Sequence, residues 1–338
     1  MAKNRRFILS KKFEGDPKQT DFSLVEVPIP QVKDKEVHFE AIAISVDPYM
    51  RALAHFAEPG ITMFGEVVSK VVESRHPDYK VGDLAVGYFG WQTHYVGVPE
   101  EVDSPFGGKR KPYVLPDLHG LPPSLGLGML GMPGNSAYFG FTEICDPKPG
   151  KTLVISGAAG AVGSHVGQIG KILGCKVIGF AGSDDKVAYL QKELKFDFAF
   201  NYKKTSVSEA LKIAAPEGVD YYFDNVGGTM SSQVLSAMNE FGRAALCGAV
   251  AIYNQNPGDP PLAPAVQLTM ILKQIRMEGF LVFRWLDRWF EGINKNLEWI
   301  REGKLIYKEH ATKGFEKTAQ AFIGMMKGDN TGKAVVLV

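Results

Sequence analysis

The stretch Gly157-Ala-Ala-Gly-Ala-Val-Gly163 has the composition of a phosphate-binding turn. Gly160 and Gly163 match the last two glycines of the dinucleotide fingerprint, and Ala158 holds the position of its first. Small residues are required there because the main chain must come close to a pyrophosphate. The helix that follows then offers unpaired N–H groups and a partial positive charge to the phosphates. The competing reading of such glycines is tight packing of a helix on a strand. The context favours a nucleotide: an apolar run, Leu153-Val-Ile-Ser156, precedes the turn, and a helical pattern follows it.

The end of the next apolar run bears on which nucleotide. NAD sites usually place a carboxylate there for the ribose 2′-hydroxyl. Here the run ends Gly179-Phe180-Ala181-Gly182, with no acid. Ser183 reads as a helix N-cap, but Lys186 stands where a capping box favours Glu. A cation in a first helical turn opposes the helix dipole, a misfit that pairing with a 2′-phosphate would resolve. The alternative is a solvated lysine paired with Asp184 or Asp185. NADPH is the expected cofactor.

Catalytic zinc needs three protein ligands, typically Cys, His or carboxylate. No cysteine precedes Cys145, and His55, His76 and His94 show no zinc-ligand spacing. His94, in Trp91-Gln-Thr-His-Tyr95, reads as a strand histidine with an ordinary hydrogen bond. No metal is expected. Without a Lewis acid, oxidation of an unactivated alcohol is hard. Conjugate reduction is easier, because hydride goes to the β-carbon and charge spreads onto the carbonyl as an enolate. The protein must then supply a donor to that oxygen, and losing one such donor costs roughly 10²–10³-fold in rate.

The elements that would position these residues follow from periodicity. The first ~125 residues read as mostly β, with Glu36–Ile44, Glu66–Val72 and Val81–Tyr88 as apolar runs between turn signals. Gly107-Gly-Lys-Arg-Lys-Pro112 interrupts them as a polar loop. From Lys151 the pattern alternates: strands at Leu153–Ser156, Lys176–Phe180, Phe198–Phe200, Val219–Phe223, Arg243–Cys247 and Met277–Phe283, with a helix over Ala161–Leu173 stopped by Gly174. Six strands with helices between them predict an α/β, doubly wound parallel sheet covered on both faces. Thr331–Val338 ends the chain as a strand that rejoins the N-terminal part. The expected division is 1–128 with 305–338 and 129–304, with a ligand cleft between the two domains.

The bulk composition agrees. At 338 residues two domains are natural. The 38 basic residues nearly cancel 37 acidic ones, which argues against nucleic acid or an anionic membrane as partner. The basic start Met1-Ala2-Lys3-Asn4-Arg5-Arg6 is followed by only Phe7-Ile8-Leu9, too short for a secretory signal. Cys145, Cys175 and Cys247 are scattered and odd in number, fitting a reducing cytoplasm.

Several motifs together are more specific. Val46-Asp-Pro-Tyr-Met-Arg51, Gly131-Met-Pro-Gly134 with Ala137-Tyr-Phe-Gly140, Ala159-Gly-Ala-Val-Gly163 and Gly182-Ser-Asp-Asp-Lys186 occur in order. They are followed by Phe223-Asp-Asn-Val-Gly-Gly228, Cys247-Gly-Ala-Val250 with Tyr253-Asn254, and Gly328-Asp-Asn-Thr-Gly-Lys333. The series resembles the prostaglandin reductase/leukotriene B4 dehydrogenase family, a zinc-free branch of the medium-chain dehydrogenase/reductase superfamily. The resemblance implies a six-stranded Rossmann domain, a β-rich GroES-like domain and a cytosolic homodimer that reduces 2-alkenals, enones and 15-oxoprostaglandins with NADPH. It carries cofactor contacts onto Gly160, Ala161, Val162, Gly163, Lys186, Tyr202 and Asn225. Further contacts fall on the turn Cys247, Gly248, Ala249, Val250 and Tyr253, on the strand Phe280, Leu281 and Val282, and on Asn330.

Tyr253 is the family's candidate active-site phenol. With an ordinary pKa of about 10 it stays protonated at pH 7 and can donate to a developing enolate; stacking on the cofactor is the alternative. Tyr49 is a second candidate, lining the substrate pocket, or else a buried aromatic beside Pro48. The segment Val98–Leu118 departs from the family pattern, as do Asn135 and Ser136, where mammalian members usually carry a Leu-Thr pair. Both departures bear on the pocket. Rival readings are a quinone reductase of the same superfamily, a cofactor-binding protein without catalysis, and NADP-dependent oxidation of a lipid alcohol such as leukotriene B4.

Overall fold

The computed structural model describes residues 3–255 and 262–338; Met1 and Ala2 of the basic N-terminal stretch lie outside them. The chain folds as two compact units, one of Met1–Gly128, Glu309–Asn330 and Ala334–Val338, the other of Met129–Lys308 and Thr331–Lys333.

The first unit opens with an antiparallel pair, β1 (Lys3–Leu9) and β2 (Phe22–Pro28). Next come β3 (Val37–Ser45), the short helix α1 (Tyr49–Leu53), β4 (Val67–Ser74), β5 (Leu84–Gly87), β6 (His94–Gly97) and β7 (Tyr113–Val114). Strands β3, β4, β5 and β7 pair antiparallel in that order, and β6 joins the free part of β3. In β3 His38, Glu40 and Ile42 are more open while Val37, Phe39, Ala41 and Ala43 are buried, the alternation of a sheet with one face on a core, and the strand's end at Ile44 and Ser45 is buried on both sides.

In the second unit, α2 (Met132–Phe139) runs into a π-helical turn, Gly140–Cys145. The alternation then begins: β8 (Thr152–Ile155), α3 (Ala161–Ile172), β9 (Lys176–Ala181), α4 (Asp184–Lys192), β10 (Phe198–Asn201), α5 (Val207–Ala214), β11 (Val219–Asp224), α6 (Gly228–Ser236), β12 (Met238–Leu246), α7 (Gln267–Lys273), β13 (Arg276–Gly279) and α8 (Trp289–Arg301). The six strands form one parallel sheet in the order β10-β9-β8-β11-β12-β13. Leu153 and Ile155 point into one core layer and Val154 into the other. Both faces are covered, as a doubly wound sheet requires. The chain then returns to the first unit through β14 (Glu309–Lys313), α9 (Thr318–Lys327) and β15 (Lys333–Leu337), and β15 pairs antiparallel with β3. No described helix is long and apolar enough to cross a membrane.

One expectation is corrected. The strand predicted over Met277–Phe283 stops at Gly279, so Phe280, Leu281 and Val282 are not strand residues. The carboxylate of Glu278 is shared by Arg276, at 2.6 Å, and Arg284, which draws the chain into a 3₁₀ turn over Val282–Arg288. Phe280 leaves the sheet edge to pack against Phe223 and Trp285, with ring centroids 6.1 and 5.6 Å away. Gly140 makes room for it: a Cβ there would stand 2.4 Å from the Phe280 ring.

Candidate active site

The glycine turn lies between β8 and α3. Gly157 takes a left-handed φ of +59°, and its carbonyl accepts from Gly160 N–H at 3.1 Å. Gly160 is the N-cap of α3 and brings no side-chain cap, so the first-turn N–H groups keep their capacity for an anion. At Gly163 a Cβ would stand 2.4 Å from the Gly157 carbonyl oxygen and 2.8 Å from Ala158 Cα. Here the packing reading and the nucleotide reading are both satisfied, since the helix must sit close for its N–H groups to face the turn. Ala161 and Val162 occupy the first turn of α3.

The end of β9 carries the features that discriminate nucleotides. Ser183 caps α4 by accepting from Lys186 N–H at 3.4 Å. Tyr202 folds back over Gly182: its N–H donates to Ala181 O, and its hydroxyl stands 3.2 Å from where a Gly182 Cβ would be. Asp184 is engaged by Asn201 Nδ2 at 2.8 Å and by Lys204. The Asn201 hydrogen bond, then that of Lys204, hold its carboxyl below the usual range. Lys186 and Tyr202 therefore share one strand end with no carboxylate on the strand itself.

Two further turns follow β11 and β12. Asp224 is buried, and its Oδ1 accepts from Ser156 Oγ at 2.8 Å and from the N–H groups of Val226 and Gly227, each at 2.9 Å. Asn225 is fixed at both ends: its N–H donates to Ser156 Oγ and its Nδ2 to Ser156 O. The second turn is sewn to the first. Cys247 and Gly248 donate to Asp224 O, Val250 to Asn225 O, and Ala251 to Val226 O. Tyr253 closes that turn, its hydroxyl oxygen accepting from Ala249 N–H at 3.2 Å. Burial raises the Tyr253 pKa above that of a free phenol, and the Ala249 bond acts weakly against it. The group stays protonated at neutral pH.

The structure thus brings together, at the C-terminal ends of β8, β9, β10, β11 and β12, the glycine turn, Lys186, Tyr202, Asn225, Cys247 to Val250 and Tyr253. Open α/β sheets bind ligands at such ends. Phe280 packs on Phe223 at the end of β11 and on Trp285, Leu281 is exposed and Val282 is buried. A contact missing from the sequence reading is Gly332: its N–H donates to Ala159 O at 2.8 Å and it bridges Gly160. With φ at +73° and a Cβ that would stand 2.1 Å from Lys308 O, it must be glycine. The signal was the second glycine of Gly328-Asp-Asn-Thr-Gly-Lys333. Asn330, two residues earlier, lines a cavity of about 540 Å³ in the first unit with His310, Lys317, Gln320, Lys327 and Asp329.

Tyr49 opens α1 in the first unit. Its hydroxyl is buried with no hydrogen-bond partner among the described residues, and its ring packs on Phe106 at 5.1 Å. Burial, then the charges of Asp47 and Glu66, keep the phenol well above its ordinary pKa. Phe106 belongs to the divergent Val98–Leu118 segment, where the glycine-rich stretch is a tight turn with Asp103 bridging to Lys109. Asn135 and Ser136 are buried in α2; Asn135 Nδ2 donates to Trp289 O, and Ser136 Oγ to Met132 O.

Residues 5–104 match the family model described as the N-terminal domain of oxidoreductase, and residues 161–299 that of zinc-binding dehydrogenase. The donors present do not fit a catalytic zinc. Among the described residues the one cluster of three potential ligands is His76, Asp78 and Glu100, and Lys111 Nζ already stands 2.7 Å from both carboxylates. Prostaglandin reductase 1 of Bos taurus is 46% identical over 99% of both chains. The NADP(+)-dependent 2-alkenal reductase of Nicotiana tabacum is 38% identical over 99% of this chain and 97% of its own. The crystal structure of CurA from Vibrio vulnificus in complex with NADPH superposes with a TM-score of 0.88 at 34% identity, covering 99% of each chain. On that identity over nearly its full length, the chain belongs to the prostaglandin reductase family of medium-chain dehydrogenases/reductases.

Proposed function

We propose that this chain is an NADPH-dependent reductase of the carbon–carbon double bond of α,β-unsaturated aldehydes and ketones: 2-alkenals, enones and 15-oxoprostaglandins. The observation that carries the reading is the Tyr253 phenol, pinned by Ala249 N–H among the turns that end the parallel strands. NADPH supplies the hydride. Gly160 to Gly163 receive its pyrophosphate, and Lys186 with Tyr202 its 2′-phosphate. Asn225 and the Cys247–Val250 turn hold the nicotinamide half, with Asn330 and the Phe280–Val282 segment as further contacts. Tyr253 donates its O–H to the substrate carbonyl as hydride reaches the β-carbon, so that charge forms on an oxygen already hydrogen-bonded. Tyr49, a buried donor lacking an acceptor among the described residues, is the second contact to the substrate. On this reading residues 129–304 bind the nucleotide, and residues 1–128 with 305–338 shape the substrate pocket.

The active form is a cytoplasmic homodimer. Support for a second copy comes from the edge strand β13, with Met277 open to solvent, and from α7 beside it, where Leu268, Ile271 and Leu272 are each about two-thirds or more exposed. The deciding experiment is an NADPH-consumption screen over a 2-alkenal, an enone, a 15-oxoprostanoid and a benzoquinone, with NADH as control. Turnover of the first three exceeding that of the quinone supports the assignment. Quinone turnover alone would replace it.

A further inference from the structure

Within the divergent segment Val98–Leu118, the chain from Val102 to Arg110 doubles back on itself. Arg110 N–H donates to Val102 O at 2.8 Å, and Ser104 N–H to Gly108 O at 2.9 Å. Lys109 Nζ binds Asp103 Oδ1 at 2.8 Å and Glu101 O at 3.0 Å, so charge as well as main chain holds the base. At the tip, Gly107 N–H closes onto Ser104 O and Phe106 N–H donates to Ser104 Oγ. Gly107 and Gly108 take left-handed φ values of +97° and +71°, and a Cβ on either would meet nothing within 4 Å. These glycines serve the turn. The one aromatic side chain that the tip carries is Phe106.

That ring lies 5.1 Å from the ring of Tyr49, at an interplanar angle of 41°, and 6.3 Å from that of Tyr88, at 65°. Arg110 places its guanidinium 5.8 Å from the centre of the Tyr88 ring. Tyr88 is buried, whereas Phe106 is half-buried and keeps part of its ring open. Burial, reinforced by the charges of Asp47 and Glu66, keeps both phenols protonated. The Tyr49 hydroxyl is buried with no hydrogen-bond partner among the described residues. Native folds leave few such donors, and this one points to an acceptor that a ligand brings. A substrate meeting that hydroxyl lies next to Phe106. On the reading of Tyr49 as a substrate contact, we propose that Phe106 is a specificity-determining residue, selecting enones with a flat aryl group on the β-carbon over those with a flexible alkyl chain. An aryl group can stack on the open part of the ring or meet it edge-on. An alkyl chain fixed in the same place gives up rotamer freedom that a rigid aryl group does not have to lose.

The probes are 4-phenyl-3-buten-2-one and 3-nonen-2-one, which share one reacting enone and differ in the group on its β-carbon. With NADPH, the unmodified chain should show the higher kcat/KM on the phenyl compound. Phe106→Leu, which keeps bulk and loses the ring, should cut that preference about threefold to tenfold, the worth of one aromatic pair. The loss should fall on KM more than on kcat, and Phe106→Tyr should restore it. A purely structural role would lower both enones alike, together with the melting temperature. The saturated ketones 4-phenyl-2-butanone and 2-nonanone, titrated calorimetrically into the NADP+-loaded chain, give a second readout that needs no turnover. Tighter binding of the phenyl ketone, weakened in Phe106→Leu, supports the assignment of Phe106 even where neither enone is reduced, a result that would strike the reductase reading alone. A preference for the alkyl compound in the unmodified chain, or the same preference in Phe106→Leu as in the unmodified chain, would overturn the proposal.

Discussion

Tyr253 and Ala249 are four residues apart in one turn, and the hydrogen bond between them fixes what the phenol can do. Because its oxygen accepts the Ala249 N–H, the hydroxyl proton points elsewhere, and burial keeps that proton on at neutral pH. Tyr253→Phe should lower kcat with a 2-alkenal on the order of 10²-fold, the loss expected for one oxyanion donor. Full turnover in that variant would reduce Tyr253 to a cofactor contact. Lys186 is tested through the other end of the nucleotide. Lys186→Ala should raise the KM for NADPH about tenfold or more, the effect of one charge-assisted hydrogen bond, and leave NADH use nearly unchanged. Equal effects on both nucleotides would remove the 2′-phosphate assignment.

At the scale of elements, α3 lies close to the sheet because Gly163, Gly167 and Gly170 present no Cβ to Gly157, Phe196 and Leu153. Gly163→Ala would drive its Cβ against backbone that cannot move as a flexible side chain can, a cost of about 1–3 kcal/mol. Gly160→Ala meets only Gly157 O, at 3.3 Å. The first variant should melt several degrees lower and the second much less; equal melting temperatures would contradict the packing. The same helix buries His165, whose Nε2 meets Asn296 Oδ1 on α8 while Asn296 Nδ2 donates to Met129 O. Burial lowers the His165 pKa from 6.5 to about 4. Between those values the unfolded chain binds a proton that the native chain refuses, so stability falls as pH drops from about 6.5 to about 4 and levels off below. His165→Gln should flatten that slope by about one proton in urea melts run across the window. An unchanged slope would mean that His165 takes up its proton in the native state.

What was legible in the sequence follows the same boundary between local and distant. The glycine turn, the Ser183 cap and the six alternating strands were readable because each depends on neighbours within a turn or two. The departure of Phe280 from β13 was not, since it depends on the space left by Gly140, far back in the chain. Nor was the His38–His94 contact, set by strand register across 56 residues. His94 alone read as an ordinary strand histidine, and its hydrogen-bond partner proved to be a second imidazole.

Across the whole molecule, the substrate assigned above raises a problem the chain must solve. A 2-alkenal is an electrophile toward thiolates, which add to its β-carbon, the same atom that receives hydride. The chain has three cysteines. Cys145 and Cys175 are buried and donate weakly to Arg243 O and Lys148 O, and Cys247 is half-buried beside the active-site turn. Burial pushes the thiols of Cys145 and Cys247 up to about 12 and that of Cys175 up to about 11, with Asp224 adding to the shift at Cys247 and Asp220 at Cys175. At pH 7 roughly one thiol in 10⁴ to 10⁵ is then ionised, against a few in a hundred for an ordinary cysteine. The native chain should therefore resist its own substrate. Incubated with excess 2-alkenal without NADPH near pH 7.5, it should show no cysteine adducts on peptide mapping over a time in which glutathione is consumed. The urea-unfolded chain should be modified at all three positions. Cys247 is the sensitive case, being the least enclosed and nearest the proposed cofactor turn. Alkylation there at the rate of a free thiol would mean that the fold does not shield it, and that any resistance to inactivation comes from rapid turnover instead.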